Sequence, residues 1–240
     1  RARPRMSGQA APLAPHEFWQ EVYPAGHFDP APAGGFRHLY PAALPDGRQL
    51  ALPIRVLPGD GSRAVASLIL NQASFSVVDA LAEALAQPAA ALRPHVIVAV
   101  PTLGLTLGEA LARRLGHSRL VPLGTSRKFW YDEALSEPIA SITTRQERRI
   151  YLDPRMLPLL EGRRVAVVDD VVSTGTSMAA VLGLLARAGV QPVAVLAAML
   201  QGAGGPAHLA AAAGWRGPLL TAIASPRLAR NAADGWDPSA

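Results

Sequence analysis

The stretch of sequence that decides the fold is VAVVDDVVSTGTSM, from Val165 to Met178. Its first four residues are apolar, which is typical of a strand buried on both faces of a parallel sheet. Asp169 and Asp170 follow this strand, at the edge where open α/β sheets bind their ligands. A turn of small residues, Ser173 to Ser177, then leads into a helix. The segment therefore predicts a strand, an acidic pair and a turn at a helix N-terminus.

This turn has the composition of a phosphate-binding loop. Its members are Ser173, Thr174, Gly175, Thr176 and Ser177. Unpaired backbone N–H groups and the helix dipole attract a phosphate at such a turn, and hydroxyl side chains add donors without bulk. The neighbouring carboxylates can accept hydrogen bonds from vicinal hydroxyls and can hold a hydrated Mg²⁺. The segment thus predicts a site for a sugar phosphate.

Strands alternate with helices on both sides of this segment. The predicted elements are helices over 76–87, 106–115 and 177–188, strands over 95–100, 120–123, 165–168 and 193–199, and a short β segment over 149–152. Before residue 76 the sequence predicts short β runs around a turn at Asp46 and Gly47. Strands joined by helices run parallel through right-handed crossovers, so the expected fold class is α/β, a parallel sheet flanked by helices.

The composition excludes several classes of protein. The chain has 240 residues, half of them hydrophobic, with a formal net charge of +5. Aromatic residues make up 5% and the arginines are scattered, so the sequence lacks the basic, aromatic-rich stripe typical of nucleic-acid binding. It also lacks an apolar run long enough for a membrane helix. We therefore expect neither nucleic-acid nor membrane partners.

Two further counts bear on location and chemistry. The sequence has no cysteine, which indicates a reducing compartment or indifference to redox chemistry, and we expect a cytoplasmic protein. Lys128 is the only lysine among 23 basic residues. Because a compact ammonium differs in chemistry from a guanidinium, Lys128 becomes a candidate functional residue.

The acidic strand and its turn resemble the signature of the type I phosphoribosyltransferases, which use 5-phosphoribosyl-1-pyrophosphate (PRPP). The resemblance implies that Asp169 and Asp170 hold the ribose 2- and 3-hydroxyls and, through water, a Mg²⁺ ion. It implies that Ser173 to Ser177 cradle the 5-phosphate. The alternative is an incidental acidic pair, as in a P-loop protein or a receiver domain. The only lysine follows Arg127, which excludes the Gly-Lys of a P-loop, and a receiver domain would place its acids earlier.

The resemblance also implies a domain organisation. We expect residues 1–15 to be disordered, residues 16–75 to form a small N-terminal hood, residues 76–225 to form the PRPP-binding core, and residues 226–240 to be a C-terminal tail. The hood would select the acceptor base. A homodimer is the expectation from the family.

The segment PTLGLTLG, Pro101 to Gly108, matches the position of the pyrophosphate loop of this family. The resemblance implies that Thr102, Leu103 and Gly104 face the leaving group, with Gly104 allowing a close backbone approach. Leu103 is a departure, because related adenine enzymes commonly carry an arginine before this glycine. A plain strand-to-helix connection is the alternative.

Residues Thr125 to Asp153 form a long connection between predicted strands, and such loops are usually lids. The family closes a mobile loop over PRPP at this place, and Arg127 and Lys128 match the Arg-Lys pair that opens it. The resemblance gives these cations a catalytic role, since charge gathers on the departing pyrophosphate. The alternative is a solvated charge pair on a loop.

The acceptor base is less sharply indicated. Hypoxanthine-guanine enzymes place an aspartate where Ser173 stands, so the pattern is closer to adenine enzymes. Some of those use a lid glutamate, for which Glu133 is the candidate, although an ordinary exposed acid is the alternative. Trp130 and Tyr131 would either stack on the base or anchor the lid.

The expected function is therefore transfer of a phosphoribosyl group from PRPP, with Mg²⁺, to a nucleobase handled like adenine. A catalytically silent PRPP-binding regulator and a phosphoribosyltransferase acting on a pyrimidine or another amine are the open alternatives. The run GAGGPA, Gly202 to Ala207, mimics a dinucleotide-binding turn, but no acid lies between Asp170 and Asp234 to take a ribose hydroxyl. We therefore exclude NAD.

Overall fold

The computed structural model describes residues 12–139 and 148–239. Its strands are β1 (Leu39–Ala43), β2 (Gln49–Val56), β3 (Arg63–Ala66), β4 (Val96–Ala99), β5 (Val121–Pro122), β6 (Ser136–Ile139), β7 (Arg148–Tyr151), β8 (Val165–Val172), β9 (Ala194–Gln201), β10 (Leu219–Ser225), β11 (Arg227–Arg230) and β12 (Trp236–Ser239). Its α-helices are α1 (Phe75–Ala91), α2 (Gly104–Arg114), α3 (Thr176–Arg187) and α4 (Gly204–Ala212). Three short 3₁₀ helices cover Leu70–Gln72, Glu133–Leu135 and Pro154–Leu159.

Five parallel strands form the core sheet, in the order β10-β9-β8-β4-β5. Successive residues of β8 enter different hydrophobic clusters: Ala166 and Val168 pack on one face, and Val165 and Val167 on the other. All four are buried because helices cover both faces. This double burial explains why the strands appear in the sequence as continuous apolar runs, and it confirms the predicted α/β fold with a parallel sheet.

The helices divide between the two faces of the core sheet. Helices α1 and α2 supply Leu81, Leu107 and other apolar residues to the cluster on one face. Helix α3 supplies Val181 and Leu184 to the cluster on the other. The side chain of Ser74 accepts a hydrogen bond from the Val77 N–H and caps α1. The core sheet is thus a middle layer between two helical layers.

A second sheet, here called the hood sheet, is antiparallel and has the order β1-β2-β3-β11-β12. Strands β1 and β2 form a hairpin, and Gly47 lies in its turn with φ of +85° as the Asp-Gly pair predicts. Strands β11 and β12 come from the end of the chain, which the sequence indicated as a tail over 226–240. They differ from that expectation because β11 pairs with β3, and Trp236 is buried beside Phe36.

Three elements also differ from their predicted bounds. Strand β8 continues through both aspartates to Val172, helix α2 begins two residues earlier than residue 106, and helix α1 runs four residues past residue 87. Helix α4 and strand β10 were not predicted at all. In residues 12–139 and 148–239 we find no helix with the length and apolar character needed to cross a bilayer.

Candidate active site

The acidic pair lies where the core sheet has a step. Strand β8 pairs with β4 only as far as Val168, opposite Ala99, but stays paired with β9 as far as Val172. Asp169 and Asp170 therefore lie beyond the end of β4 while still held on their other side by β9. This places both carboxylates at the carboxyl edge of the sheet, as predicted, within the strand rather than after it.

Asp169 is enclosed by protein. Its residue is 7% exposed, and its Oδ1 accepts a hydrogen bond of 2.8 Å from the backbone N–H of Asp170. Burial raises the pKa of the Asp169 carboxyl well above its usual range, and the adjacent Asp170 carboxylate raises it further. Burial also raises the pKa of Asp170, which is more accessible. A cation or hydroxyl donors at this pair would stabilise the ionised form.

The predicted pyrophosphate loop lies directly against Asp169. A Cβ added to Gly104 would lie 2.8 Å from the Asp169 Cα and 3.0 Å from its Oδ1, which is too close for any other residue. Gly104 thus allows a close approach between α2 and the backbone of β8, whereas its predicted approach to a leaving group stays a prediction. Leu103 precedes the first residue of α2 and offers no side-chain cap, and the peptide bond between Pro101 and Thr102 is cis.

The turn Ser173–Ser177, here called the phosphate turn, leads into the N-terminus of α3. Gly175 is the N-cap residue with φ of +85°, a left-handed conformation that favours glycine. The N-cap residue supplies no side-chain hydrogen bond. The Thr176 N–H donates to the Thr174 hydroxyl oxygen across 3.4 Å, and the other N–H groups of the first turn are left for a ligand. Thr174 and Thr176 are exposed, and their hydroxyl oxygens lie 3.2 Å apart. This arrangement of free N–H groups and hydroxyls can bind a phosphate.

A second turn packs against the phosphate turn. Gly202 and Ala203 link β9 to α4, and Gly205 in the first turn of α4 packs against Ser173 and Gly175. A Cβ on Gly175 would lie 2.8 Å from the Gly205 carbonyl oxygen, and one on Gly205 would lie 2.9 Å from the Ser173 carbonyl oxygen. Sequence reasoning noticed these glycines but tested them only as a dinucleotide-binding motif. Gly175 and Gly205 instead allow the phosphate turn and the start of α4 to pack closely.

The lid region has structure of its own. Strands β6 and β7 pair antiparallel, and residues 140–147 between them lie outside the described residues. Two hydrogen bonds between Gly124 and Tyr151, of 2.8 and 2.9 Å, close the base of this hairpin. Arg187 of α3 donates to the Ser136 carbonyl oxygen and pairs with Glu137, so β6 is docked on the core. The predicted long loop is a hairpin with an anchored base.

The candidate catalytic residues of the lid lie near one another. Arg127 Nε is 3.2 Å from Glu133 Oε2, and Arg149 Nε is 3.6 Å from Glu133 Oε1. The carbonyl oxygen of Lys128 accepts a 3.0 Å hydrogen bond from the Tyr131 N–H. Among the described residues, no hydrogen bond or ion pair joins these side chains to the acidic pair or the phosphate turn. The structure thus groups Arg127 with Glu133 and Arg149, without a bond to the acidic pair or to the turn Ser173–Ser177.

Trp130 and Tyr131 contact the base of the hairpin. Trp130 is 38% exposed, its Nε1 donates to Asp153 across 3.3 Å, and the Arg155 guanidinium lies 4.4 Å from its ring centroid. The hydrogen bonds from Arg155 hold the pKa of Asp153 at about 2, so the carboxylate remains ionised. The Tyr131 ring packs 5.9 Å from that of Tyr151. These contacts favour anchoring of the lid over base stacking.

The acidic pair fits a cation that brings its own ligands. In the part of the chain that the structure describes, no three His, Cys, Asp or Glu side chains cluster as a ligand set. Asp169 and Asp170 are thus the donors that the site offers. Mg²⁺ in proteins keeps several waters and is bound through one or two carboxylates together with substrate phosphates. Two carboxylates next to a phosphate-binding turn match that donor set.

Comparison with known proteins agrees with this arrangement. The sequence profile of the family described as phosphoribosyl transferase domain matches residues 65–212. The adenine phosphoribosyltransferase of Sphingopyxis alaskensis is 31% identical over 159 residues, which are 65% of this chain and 80% of that protein. The hypoxanthine/guanine phosphoribosyltransferase of Methanosalsum zhilinae is 31% identical over 108 residues, so the chain spans about half the length of that relative, 53%.

Solved structures agree on the fold. The adenine phosphoribosyltransferase of Giardia lamblia, complexed with 9-deazaadenine, has a TM-score of 0.56 at 18% identity over 78% of this chain and 93% of that one. The enzyme of Trypanosoma brucei, in complex with AMP, pyrophosphate and ribose-5-phosphate, has a TM-score of 0.53 at 18% identity over 86% of this chain and 76% of that one. The fold is therefore that of the type I phosphoribosyltransferases. With the profile covering more than half of its residues, the chain belongs to the phosphoribosyl transferase domain family.

Proposed function

We propose that this protein transfers the 5-phosphoribosyl group of PRPP to a purine base, with adenine as the preferred acceptor, and releases pyrophosphate. The observation that carries the proposal is the junction of β8 and α3, where an acidic pair and a helix N-terminus without a side-chain cap follow each other within eight residues, Asp169 to Thr176. The relatives named above, of both adenine and hypoxanthine/guanine type, support a purine acceptor.

Each half of that junction has a separate task. The backbone N–H groups around Gly175 and the hydroxyls of Thr174 and Thr176 bind the 5-phosphate, where the helix dipole favours negative charge. Asp169 and Asp170 accept hydrogen bonds from the ribose hydroxyls, which favours their ionised form despite burial. With both ends of the ribose 5-phosphate held, C1 has a fixed position for displacement.

The reaction is a substitution at C1 of the ribose. A ring nitrogen of the base supplies the electron pair for the new C1–N bond, while the C1–O bond breaks and its electrons leave with pyrophosphate. Thr102, Leu103 and Gly104 place backbone groups beside the leaving group, and Arg127 and Lys128 bring positive charge when the lid closes. Glu133 would take the proton from the base once released from its two arginines.

Mg²⁺ belongs to the proposal as an ion bound with PRPP. Asp169 and Asp170 would hold it, directly or through water, and when bound it neutralises negative charge on the substrate. A cytoplasmic location, expected from the sequence, and a homodimer, expected from the family, complete the proposal.

The experiment is to incubate the protein with PRPP and Mg²⁺ and, separately, adenine, hypoxanthine, guanine or uracil, and to measure pyrophosphate release. We expect release with adenine, and loss of PRPP binding when both Asp169 and Asp170 are replaced by Asn. The matched control replaces Asp60 by Asn, because that aspartate lies in an exposed turn of the hood sheet, bonded to Ser62.

Different outcomes would point to the other functions. Release with uracil alone would make the protein a pyrimidine enzyme. Tight PRPP binding without release for any base would make it a PRPP-binding regulator. PRPP binding that survives the double replacement would reject the assignment of the site.

A further inference from the structure

Gln201, the last residue of β9, joins the phosphate turn to the hood sheet. Its Oε1 accepts a hydrogen bond of 3.2 Å from the Ser173 hydroxyl. Its Nε2 donates a hydrogen bond of 2.8 Å to the carbonyl oxygen of Ala66, the last residue of β3. One carboxamide thus holds two residues that are separated by more than a hundred positions in the sequence: Ser173 in the turn after β8 of the core sheet, and Ala66 at the end of β3 of the hood sheet.

The two bonds use the carboxamide in the one orientation that satisfies both partners. The Ala66 carbonyl can only accept, so the Nε2 amide must face it, and Oε1 is then left for the Ser173 hydroxyl. Gln201 is only partly exposed, and in the core sheet it pairs with the buried Ser225. A neighbour on the same strand end, Gly202, packs against Arg227 of the hood sheet. The end of β9 is therefore a fixed junction between the core and the hood sheet.

From this geometry we propose that Gln201 is a positioning residue that sets the distance between the phosphate turn and the hood. The inference rests on the proposed function, in which the turn Ser173–Ser177 binds the 5-phosphate, together with the expectation from the family that the hood selects the base. A nucleoside 5-monophosphate then spans both sides, whereas ribose 5-phosphate contacts the phosphate side only. Gln201 acts through Ser173 and Ala66, and its effect falls on ligands that span the junction.

The test compares these two ligands. Gln201→Met keeps the length of the side chain and removes both hydrogen bonds. We expect it to weaken binding of AMP about tenfold, the scale of one or two lost hydrogen bonds, and binding of ribose 5-phosphate less than about threefold, both by titration calorimetry. Gln191→Met is the control, because Gln191 is exposed in the loop before β9, and Gln201 lies at the other end of that strand. This variant should change neither the Kd for AMP nor the Kd for ribose 5-phosphate.

A second variant separates the two bonds. Gln201→Glu keeps an acceptor for the Ser173 hydroxyl but cannot donate to the Ala66 carbonyl oxygen. It should therefore also weaken the binding of AMP more than the binding of ribose 5-phosphate. Equal weakening of both ligands by Gln201→Met, or no weakening of either, would overturn the proposal. General damage to the fold would weaken the binding of both ligands alike. A change in the ratio of the Kd for AMP to the Kd for ribose 5-phosphate therefore reports the positioning role of Gln201.

The comparison does not depend on turnover. If the wild-type protein binds AMP and ribose 5-phosphate but releases no pyrophosphate with any base, the proposed reaction fails while the ratio still decides the role of Gln201. If turnover is normal and the ratio is unchanged in Gln201→Met, the reaction stands and the positioning role fails.

Discussion

At the scale of single residues, Lys128 offers the sharpest test of the lid. We expect Lys128→Ala to lower kcat by about a hundredfold, the scale of one lost electrostatic contact in a transition state, while the Kd for PRPP changes less than about threefold. The reason is that a lid cation acts on charge that develops as pyrophosphate leaves. Steady-state kinetics and a separate PRPP titration measure the two quantities.

The control for Lys128→Ala is Arg119→Ala. Arg119 is an exposed cation just before the amino end of β5, whereas Lys128 follows the carboxyl end of that strand. Arg119→Ala should leave both constants unchanged. Equal losses in kcat and in PRPP affinity for Lys128→Ala would show that the lysine binds the ground state only. The lone lysine was visible in the sequence, but its neighbours were not: the pairing of Arg127 with Glu133 depends on how the hairpin folds.

At the scale of elements, glycines set how closely α2 approaches the core sheet. Gly104 and Gly108 are one helical turn apart, and a Cβ on Gly108 would lie 2.7 Å from the Ala99 Cβ. Gly108→Ala should therefore lower the free energy of unfolding by about 1–3 kcal/mol through overpacking, as measured by urea denaturation. The shift would also move the turn that contacts Asp169.

Gly183 in α3 is the matched control for this prediction. A Cβ there meets nothing within 4 Å, so Gly183→Ala should raise the free energy of unfolding by about 0.5–1 kcal/mol, the gain in helix propensity. A stabilising Gly108→Ala would mean that α2 can move away from β4 without cost.

The elements that the sequence predicted well share one physical property. Strand β4 and the first four residues of β8 are continuous apolar runs, and α3 follows a turn of small hydroxyl residues, so local patterns are enough. Helix α4 escaped prediction because GGPAHLAAA begins with glycines and has no clear apolar face. Strand β8 was predicted too short because carboxylates are unusual inside a buried strand.

At the scale of the whole molecule, Trp236 joins β12 to the segment that precedes β1. Its side chain is 6% exposed and packs with Phe36 and Leu228. Trp236→Ala should therefore lower the free energy of unfolding by about 3–5 kcal/mol, the cost of removing a buried indole. The measurement is urea denaturation followed by circular dichroism.

Phe75→Ala is the control for that variant, since Phe75 is 89% exposed and its removal should change stability by less than about 0.5 kcal/mol. Similar effects of the two substitutions would mean that β12 adds little to the hood sheet. The sequence did not predict this sheet in full. Strand β11 has four residues, and β12, WDPS, contains a proline that suits a sheet edge but obscures a strand pattern.

The pairing of β3 with β11 has a consequence for biosynthesis. Arg63 lies opposite Ala229, so this pairing cannot form until residue 229 has left the ribosome. The core sheet draws on residues 96–225, all of which are made earlier, and can assemble first. The hood is then completed after the core, and the nascent protein acquires its phosphate turn before the surface that would face a base. Long-range closure of this kind is also slow, since the entropy of a large loop is lost before the contact is gained.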